Sequence, residues 1–398
     1  MERYYIAGCP SGHQRGQCTG RERVRSIERR GERLARLRLG VVGLEHYHVT
    51  GWVESLELFP EQIEIVALYD PDPALGGRLA PSHHDPSLSP ALAAGYRQVP
   101  FTIDLDDLIR SHRLDLALVT LPPAAAPAAI VSLARAGVHL LIDKPGARTA
   151  VEAEAAFAAV RESGVKAAVA LTKRHAPGWQ AARAMVASGR LGRLFAAEAI
   201  FVTSSVRVRD PRNQIFSRAQ SGGGVLHWLG VHDLDALLWL TGDRVVEVQA
   251  MAGTVGGEAI DVEDAISLAL RFAGGAIGTV HYAYALPRPG FDGYVALRGS
   301  GGSIRITPNG DVNWIGPGSA FEPVMTQEVT HTLAKSPGYG TAGAAIIADL
   351  LRAIEENRDP LATGEHVTEA LRIIDAAYRA AETGTRVAVA GTGADARD

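Results

Sequence analysis

The chain has 398 residues, a formal net charge of −4 and a hydrophobic content of 46%. This length is sufficient for two domains with cores of their own, and the small negative charge argues against a nucleic-acid-binding surface over the whole molecule. The two cysteines, Cys9 and Cys18, cannot build a disulfide framework, and no apolar run is long enough to span a bilayer. We therefore expect a globular, cytoplasmic protein without a nucleic-acid or membrane partner.

Residues 1–36 are rich in arginine and lack the apolar stretch of a secretory signal. Three residues of this segment, Cys9, His13 and Cys18, are potential metal ligands, but a structural zinc site needs a fourth. We predict a basic, disordered tail; the alternative is a basic arm that contacts a partner.

From residue 37, strand-like apolar runs alternate with helical patterns, which predicts a doubly wound parallel sheet with helices on both faces. We predict strands over 37–42, 63–69, 114–121, 138–142 and 167–171, and helices over 47–59, 104–111, 124–136 and 149–163. Residues 81–95 are predicted to form a loop. Residues 37–172 are assigned to this first domain.

After about residue 195 the pattern changes to long strand-like runs separated by glycine-rich turns. We predict strands over 195–203, 245–252, 265–272, 275–285 and 294–307, a long helix over 226–240, and closing helices near 344–356 and 364–383. This pattern predicts an α+β domain over 173–390, with a large open, mostly antiparallel sheet that helices cover on one face. Residues 391–398 are expected to be a tail.

The turn after the first strand resembles half of a dinucleotide-binding fingerprint. Gly43 fits the first glycine, but Glu45 and His48 occupy the positions of the second and third. Glu45 would repel a phosphate unless it points away, whereas His46 or His48 could donate hydrogen bonds to one. A metal site formed by Glu45, His46 and His48 is the alternative; our prediction includes no metal.

Asp70 ends the second predicted strand, where an acidic side chain accepts hydrogen bonds from the ribose hydroxyls of NAD. The following Pro71-Asp72-Pro73 supplies no cation for a 2′-phosphate, so NAD is favoured over NADP. The alternative is that Asp70 only caps the next turn. Leu121 and Pro122, where another strand ends, are further candidates for contacts with the cofactor.

Asp143-Lys144-Pro145 follows the apolar run 138–142, which predicts a buried strand. Ligands of open α/β sheets bind at the carboxyl ends of strands, so the Lys144 amine could hydrogen-bond to a substrate hydroxyl or carbonyl there. An exposed loop lysine is the alternative. Asp143 is expected at the same rim of the sheet.

These residues, in this order, resemble the Gfo/Idh/MocA oxidoreductase family, which includes inositol dehydrogenases and glucose-fructose oxidoreductase. The resemblance covers about residues 37–390 and is carried by Gly40–Gly43, Leu114–Val119 before Pro122, Asp143–Pro145, Arg174–Pro177, Ser188–Gly192, Gly222–Gly224, Gly230–Asp235, Tyr378-Arg379 and Glu382–Gly384. It implies a Rossmann domain followed by an open-sheet domain, with the active site between them. It also implies a homodimer or homotetramer.

The resemblance further implies that Lys144 and His232 are the catalytic pair. His232 would remove the hydroxyl proton as hydride leaves for the nicotinamide, and Lys144 would stabilise alkoxide charge. The family's usual carboxylate, four residues before the histidine, is replaced by Trp228, whose ring could pack against a sugar or the nicotinamide. If 226–240 is helical, Asp235 lies on the same stripe and could orient His232; local pairing of Asp235 is the alternative.

Lys173 and Arg174 follow a strand end, where either could bind a substrate hydroxyl or carboxylate; solvated surface residues are the alternative. The stretch 203–218 carries Arg207, Arg209, Arg212 and Arg218. We interpret it as a solvated or subunit-contact loop; the alternative is a loop over the cleft whose charge would suit an acidic or phosphorylated substrate.

We predict an NAD-dependent oxidoreductase that acts on a hydroxyl or keto carbon of a sugar, cyclitol or related metabolite. Two other functions stay open. The missing carboxylate and incomplete glycine motif favour a non-catalytic, nucleotide-binding regulatory protein. An enzyme that uses tightly held NAD transiently, for elimination or glycoside cleavage, would show no net redox change.

Overall fold

The computed structural model describes residues 36–76, 96, 98–316, 321–325 and 340–391. Residues 1–35, the whole of the predicted loop 81–95 and residues 392–398 lie outside this range. The first sheet consists of β1 (Leu37–Val42), β2 (Ile63–Tyr69), β3 (Phe101–Thr102), β4 (Leu116–Val119), β5 (His139–Ile142) and β6 (Ala167–Val169). All neighbours are parallel, in the order β3-β2-β1-β4-β5-β6. This is the doubly wound Rossmann order, as predicted.

Among the described residues, four helices that precede the second sheet flank this one, and capping residues explain where two of them begin. They are α1 (His48–Leu56), α2 (Leu105–His112), α3 (Ala126–Arg135) and α4 (Ala150–Ser163), with a short 3₁₀ turn at Pro73–Leu75. Asp104 caps α2, and Thr149 caps α4 by accepting the Glu152 amide hydrogen. α4 ends at Gly164, whose positive φ of 70° suits a glycine C-cap.

The order of the first sheet reverses between β1 and β4, which opens a crevice at their carboxyl ends. Gly43 follows β1 with a φ of +103°, and a Cβ there would lie 2.6 Å from the Leu121 nitrogen. The Thr120 hydroxyl donates a hydrogen bond to the Gly43 carbonyl over 2.6 Å. Only glycine therefore allows this close approach of the two strand ends.

The second sheet has nine strands in the order β14-β13-β12-β11-β7-β10-β9-β8-β15. They are β7 (Leu194–Ser204), β8 (Val245–Gly253), β9 (Ala265–Phe272), β10 (Ile277–Leu286), β11 (Phe291–Gly299), β12 (Gly302–Ile306), β13 (Val312–Ile315), β14 (Phe321–Met325) and β15 (Val387–Ala388). Only the β7–β10 pair is parallel among these described strands. The mostly antiparallel sheet is confirmed.

One strand prediction was wrong. Residues 294–307 do not form a single strand but the antiparallel hairpin β11–β12, in which Gly299 pairs with Gly302. A Cβ on Gly299 would lie 2.2 Å from the Leu191 carbonyl oxygen, so this glycine allows a neighbouring segment to approach the turn closely. The apolar pattern continues through the hairpin, which is why it resembled one strand.

Helices and short turns cover the second sheet and connect it to the first. They are a 3₁₀ turn at Thr172–His175, α5 (Pro177–Ala187), 3₁₀ turns at Val206–Arg209 and Gln214–Phe216, α6 (Arg218–Ser221), a π-helix at Leu226–Gly230, α7 (Val231–Thr241), α8 (Gly340–Glu356) and α9 (Gly364–Thr383). The predicted helix over 226–240 therefore begins as a π-helix. None of the described helices is long and apolar enough to cross a bilayer.

Helix α8 belongs to the first core, although it follows the second sheet in the chain. Ile346, Ile347 and Leu350 are buried with Val49 and Trp52 of α1, on one face of the first sheet. The predicted division at residue 172 thus omits a segment that returns to cover the Rossmann sheet. Burial of these large apolar side chains couples the C-terminal part of the chain to the stability of the first core.

Candidate active site

Lys144 lies at the carboxyl end of β5 and is buried. Its ammonium donates a hydrogen bond to the backbone carbonyl of Trp228 over 2.5 Å, and its Nζ lies 4.9 Å from the centroid of the Trp228 ring. Burial lowers the pKa of Lys144 to about 8; the Asp143 charge opposes this shift and the Arg209 charge adds to it. Lys144 is therefore a buried amine that titrates near neutral pH.

The π-helix Leu226–Gly230 is held at its beginning by the buried carboxylate of Glu263. This carboxylate accepts hydrogen bonds from the amides of Gly224 and Leu226, at 2.8 and 3.0 Å, and from the Tyr378 hydroxyl at 3.0 Å. A Cβ on Gly224 would lie 1.9 Å from the Glu263 carbonyl oxygen, which explains the glycine. Sequence analysis missed Glu263, because no local pattern distinguishes it from other acids. Segments of π-helix are frequent at functional sites.

His232 lies in the first turn of α7, and its Nδ1 is buried without a hydrogen-bond partner among the described residues. Burial lowers the pKa of His232 well below 6.5, and the positive charges of Lys144 and Lys173 lower it further. The imidazole is therefore neutral at physiological pH. The charge of Lys144 acts on His232, so the two residues that were predicted as the catalytic pair lie within electrostatic range of each other.

Asp235 and Arg174 differ from their predicted roles. Nε of Arg174 donates to Asp235 at 3.0 and 3.1 Å and its Nη2 donates at 2.7 Å, and both side chains are buried. Asp235 therefore does not hydrogen-bond to the unpartnered Nδ1 of His232, and Arg174 is occupied by the ion pair rather than available to a substrate. Asp235 is thus paired, but with an arginine 61 residues away in the chain and not with the local partner that was the alternative. The spacing along the chain could not reveal that an arginine from the 3₁₀ turn reaches this face of α7.

Lys173, the neighbour of Arg174, binds Asp233 of α7, whose carboxylate also accepts a hydrogen bond from Tyr282. Its ammonium lies 4.5 Å from the centroid of the Trp179 ring. Burial lowers the pKa of Lys173 and raises that of Asp233. A cavity of about 70 Å³ adjoins Lys173 and Asp233 and is also lined by Phe201. Sequence analysis missed Asp233 and Tyr282, which lie far apart in the chain.

His48 and Asp143 connect α1 to the end of β5. Nδ1 of His48 and Oδ2 of Asp143 are 2.9 Å apart, and the Trp52 indole donates to Oδ1 of Asp143 over 3.0 Å. Burial alone would raise the pKa of Asp143, but the neighbouring His48, His46 and Lys144 hold it well below its usual range. A side chain thus occupies the position of the third fingerprint glycine and ties the helix to the sheet.

His46, His48 and Asp143 also form a potential ligand set, with one atom from each within 4.8 Å of the others. The alternative considered from the sequence contained Glu45 in place of Asp143. Glu45 is exposed and lies near the charges of Asp70 and Asp72 instead. Partial burial and the charges of Asp70 and Asp72 raise the pKa of Glu45. The imidazole–carboxylate contact and the indole hydrogen bond account for the arrangement of Asp143 without an ion.

Asp70 is buried at the end of β2, as predicted. Its Oδ2 accepts the amide hydrogen of Leu44 over 2.7 Å, and its Oδ1 accepts that of Asp72 over 2.9 Å. The carboxylate therefore connects the glycine turn after β1 to the end of β2. This is the position from which an acid can contact the ribose of NAD.

His46 bridges the first sheet to the π-helix. Its ring stacks on Trp228, with the centroids 5.3 Å apart and an angle of 11° between the planes. Nε2 of His46 and Nε1 of Trp228 are buried without a hydrogen-bond partner among the described residues. Buried polar atoms are normally satisfied, so these nitrogens indicate a place where a ligand or water binds.

The site fits a dinucleotide. The Gly43 turn lies at the switch point of the sheet, and Asp70 ends β2 beside it. Leu121 and Pro122 form the opposite rim of the crevice, after β4. The exposed Glu45 is the one group of this turn whose charge opposes a phosphate.

Comparisons with known proteins agree with this geometry. Residues 37–171 match the family described as "Oxidoreductase family, NAD-binding Rossmann fold", and residues 179–305 match the "GFO/IDH/MocA C-terminal domain". The chain is 31% identical to a 1,5-anhydro-D-fructose reductase of Ensifer adhaerens over 268 residues, which is 63% of this chain and 72% of the relative. It is 25% identical to an inositol 2-dehydrogenase of Rhizobium meliloti strain 1021 over 309 residues, or 77% and 89% of the two chains.

The fold is also that of a levoglucosan dehydrogenase solved in complex with NADH and levoglucosan. The TM-score is 0.75 at 20% identity, and the match covers 90% of this chain and 100% of the other. At this identity the comparison supports the fold alone. Together with the two family matches and the relative at 31% identity, it identifies the chain as an NAD-binding oxidoreductase of the Gfo/Idh/MocA family.

Proposed function

We propose that this protein transfers hydride between NAD and a hydroxyl or keto carbon of a sugar, cyclitol or related polyol. The observation that carries the proposal is the approach of buried Lys144 to the Trp228 carbonyl and to neutral His232, beside the switch point of a Rossmann sheet. Relatives named as an anhydrofructose reductase and an inositol dehydrogenase support this class of substrate.

His232 serves as the general base in this proposal. Its pKa lies well below 6.5, so the imidazole is unprotonated at neutral pH, and the unpartnered Nδ1 is the atom that takes the hydroxyl proton. Lys144 hydrogen-bonds to the same substrate oxygen and stabilises its developing negative charge. The bound NAD supplies the hydride acceptor. Asp235 has no part in this scheme, because it is paired with Arg174.

Gly43, Asp70, Leu121, Pro122 and Asp143 would hold the cofactor, and His46 and His48 lie beside them in the turn. NAD is preferred to NADP in this proposal because Asp70 and Asp72 surround the position of a 2′-phosphate with negative charge. Lys173 and Trp228 line the substrate side. The positive charge of Lys173 also helps to keep His232 neutral.

The cofactor is tested by titrating the full chain with NADH and NADPH, using nicotinamide fluorescence and thermal shift. We expect a preference for NADH, and we expect Asp70→Ala to weaken it. Asp106→Ala, which removes an exposed acid of α2, is the matched control and should leave NADH binding unchanged. No binding of either nucleotide to the wild type would contradict the proposal.

The reaction is tested by following NADH absorbance with a panel of sugars and cyclitols. Net NADH formation separates a dehydrogenase from an enzyme that uses NAD transiently. NADH binding without turnover of any substrate would favour the regulatory alternative. Lys144→Ala and His232→Ala should each lower kcat by about 10²-fold or more while NADH still binds.

We further propose a cytoplasmic homodimer or homotetramer. The scarcity of cysteine suits a reducing compartment. The second sheet exposes large apolar side chains on three strands, with Met251 at 81%, Ile277 at 55% and Phe291 at 53% exposure, and a second copy could cover them. Light scattering should give a mass that is a multiple of 42.1 kDa; a monomer at micromolar concentration would contradict this.

A further inference from the structure

The cleft between the two sheets contains unpaired hydrogen-bond donors. The Nδ1 atom of His46 accepts the His48 amide hydrogen over 3.2 Å, so in the neutral ring the proton is on Nε2. Its Nε2–H, like the indole Nε1–H of the stacked Trp228, is thus a buried donor with no acceptor among the described residues.

Arg209 adds an uncompensated positive charge to the same cleft. Its guanidinium lies 4.9 Å from the centroid of the Tyr284 ring and donates to Thr203 Oγ1 over 3.3 Å. No described carboxylate forms an ion pair with it, whereas its neighbours in the loop, Arg207 and Arg212, pair with Glu258 and Asp210.

The charge of Arg209 acts on two residues of the proposed site. Its charge lowers the pKa of both Lys144 and Tyr47, which places it within electrostatic range of the two. The Tyr47 ring stacks on His46 at 4.5 Å, and His46 stacks on Trp228. His46 and Trp228 thus form one stack, and Arg209 lies within electrostatic range of Tyr47 and Lys144, which are the neighbours of this stack.

Three of these groups, the Arg209 guanidinium, the Trp228 indole and Nε2 of His46, donate hydrogen bonds and accept none. Arginine, lysine and the tryptophan indole have no acceptor, and the acceptor nitrogen of His46 is already used. The Trp228 carbonyl, which could accept, is occupied by Lys144. A carboxylate or phosphate brings acceptors only, so it matches these three donors better than a hydroxyl or a carboxamide, each of which also brings a donor.

We propose that His46, Trp228 and Arg209 bind an anionic group, a carboxylate or phosphate, on the polyol substrate. The inference rests on the proposed function, because it places the substrate in the cleft of Lys144 and His232. It narrows the substrate class from neutral sugars and cyclitols to sugar acids or sugar phosphates. The stack of His46 on Trp228 must separate to admit the anion, because both unpartnered nitrogens are buried.

The test compares matched probes that differ only in the anionic group. D-glucose is paired with D-glucuronate, and myo-inositol with myo-inositol 1-phosphate, each titrated by calorimetry into the full chain saturated with NADH. We expect the anionic member of at least one pair to bind about tenfold or more tightly than its neutral partner, because hydrogen bonds to charged groups are the stronger class. The glucuronate and phosphate arms distinguish the two sources of charge.

Two variants locate the binding group. Arg209→Gln should reduce the affinity for the anionic probe by about tenfold and leave neutral probes and NADH unaffected. Trp228→Phe, which keeps the ring and removes the indole N–H, should produce a smaller loss of the same selectivity. Arg207→Gln is the control, since its side chain is 80% exposed and paired with Glu258. It should change nothing.

Several outcomes would overturn the inference. These are equal affinity for both members of each pair, no binding of any anionic probe at millimolar concentration, or an Arg209→Gln variant that loses NADH affinity instead. The last result would assign the arginine to the dinucleotide. Failure of the proposed function itself is distinguishable, because it appears as absence of NADH binding in the wild type.

Discussion

The Lys144 ammonium and the Trp228 backbone carbonyl are joined by a hydrogen bond of 2.5 Å. The family resemblance implies a carboxylate in the side chain at position 228, which would balance the lysine charge. A carbonyl offers only a dipole, and the buried amine consequently has a pKa of about 8 rather than 10.5. Tryptophan at this position therefore changes the protonation behaviour of the lysine without removing its partner.

Trp228→Asp should raise the pKa of Lys144, because an opposite charge nearby typically shifts a pKa by about one to three units. We expect the alkaline limb of the kcat profile to move to higher pH by about that amount. Trp228→Phe keeps an aromatic ring and the backbone carbonyl, so the alkaline limb of its kcat profile should stay at the same pH as in the wild type. An alkaline limb that is the same in all three proteins would show that Lys144 does not control it.

The wild-type pH profile follows from two depressed pKa values. Lys144 loses its proton as pH rises through about 8, so kcat should fall above this pH if the ammonium stabilises the alkoxide. His232 has a pKa well below 6.5, so we expect no acidic limb near that value. Steady-state rates from pH 5 to 10 check this. A rate that instead increases through pH 8 would make Lys144 the base.

Lys144→Met should abolish turnover without destabilising the fold at pH 7. The folded pKa of about 8 lies below the unfolded 10.5, so the buried ammonium costs up to about 3 kcal/mol below pH 8. This cost disappears as pH rises through 10.5, since the unfolded chain then loses the same proton. Methionine removes the cost of the buried ammonium, but it leaves the Trp228 carbonyl without a hydrogen-bond partner, which costs about 1–3 kcal/mol.

Urea unfolding at pH 7 and pH 9.5 measures this effect. At pH 7 the unfolding free energy of the variant should be equal to or slightly above that of the wild type. At pH 9.5 the unfolding free energy of the wild type should have increased relative to that of the variant. A variant that is several kcal/mol less stable at pH 7 would show that Lys144 is not held in a costly buried state.

Gly43→Ala should weaken NADH binding and stability together. The new Cβ would lie 2.6 Å from the Leu121 nitrogen and would sit on a residue with a φ of +103°. Gly164→Ala is the matched control, because its φ is +70° but nothing lies within 4 Å of the added Cβ. The control should lose only about 1–2 kcal/mol from the left-handed conformation. Equal losses in the two variants would exclude a steric role of the turn.

Arg174→Met should destabilise the protein by about 3–5 kcal/mol, because it leaves the buried carboxylate of Asp235 without its partner. The double variant Arg174→Met/Asp235→Leu should recover most of this loss. Both should retain the wild-type kcat in their folded fraction. A fall in kcat of the double variant by about 10²-fold or more would instead return Asp235 to an orienting role toward His232.

Much of the fold could be predicted, because periodicity and turn residues are local properties. The alternation of strands and helices from 37 to 169 and the change to long strands after 195 predicted both sheets. The hairpin at 299–302 and the return of α8 to the first core could not be predicted in this way. Each depends on which distant segment packs against an apolar pattern that is the same in either arrangement.

The rim of the first sheet could be predicted from the residues, because Gly43, Asp70 and Lys144 each follow a strand and parallel strands bring their carboxyl ends to one edge. The groups that face these residues could not be predicted, since they depend on the tertiary packing. The pairing of Asp235 with Arg174, the hydrogen bond from Lys144 to Trp228 and the stack of His46 on Trp228 join segments more than 60 residues apart. Such contacts depend on how the two sheets pack and on the π-helical turn, which changes the direction in which the following side chains point. Neither feature produces a periodic pattern in the sequence.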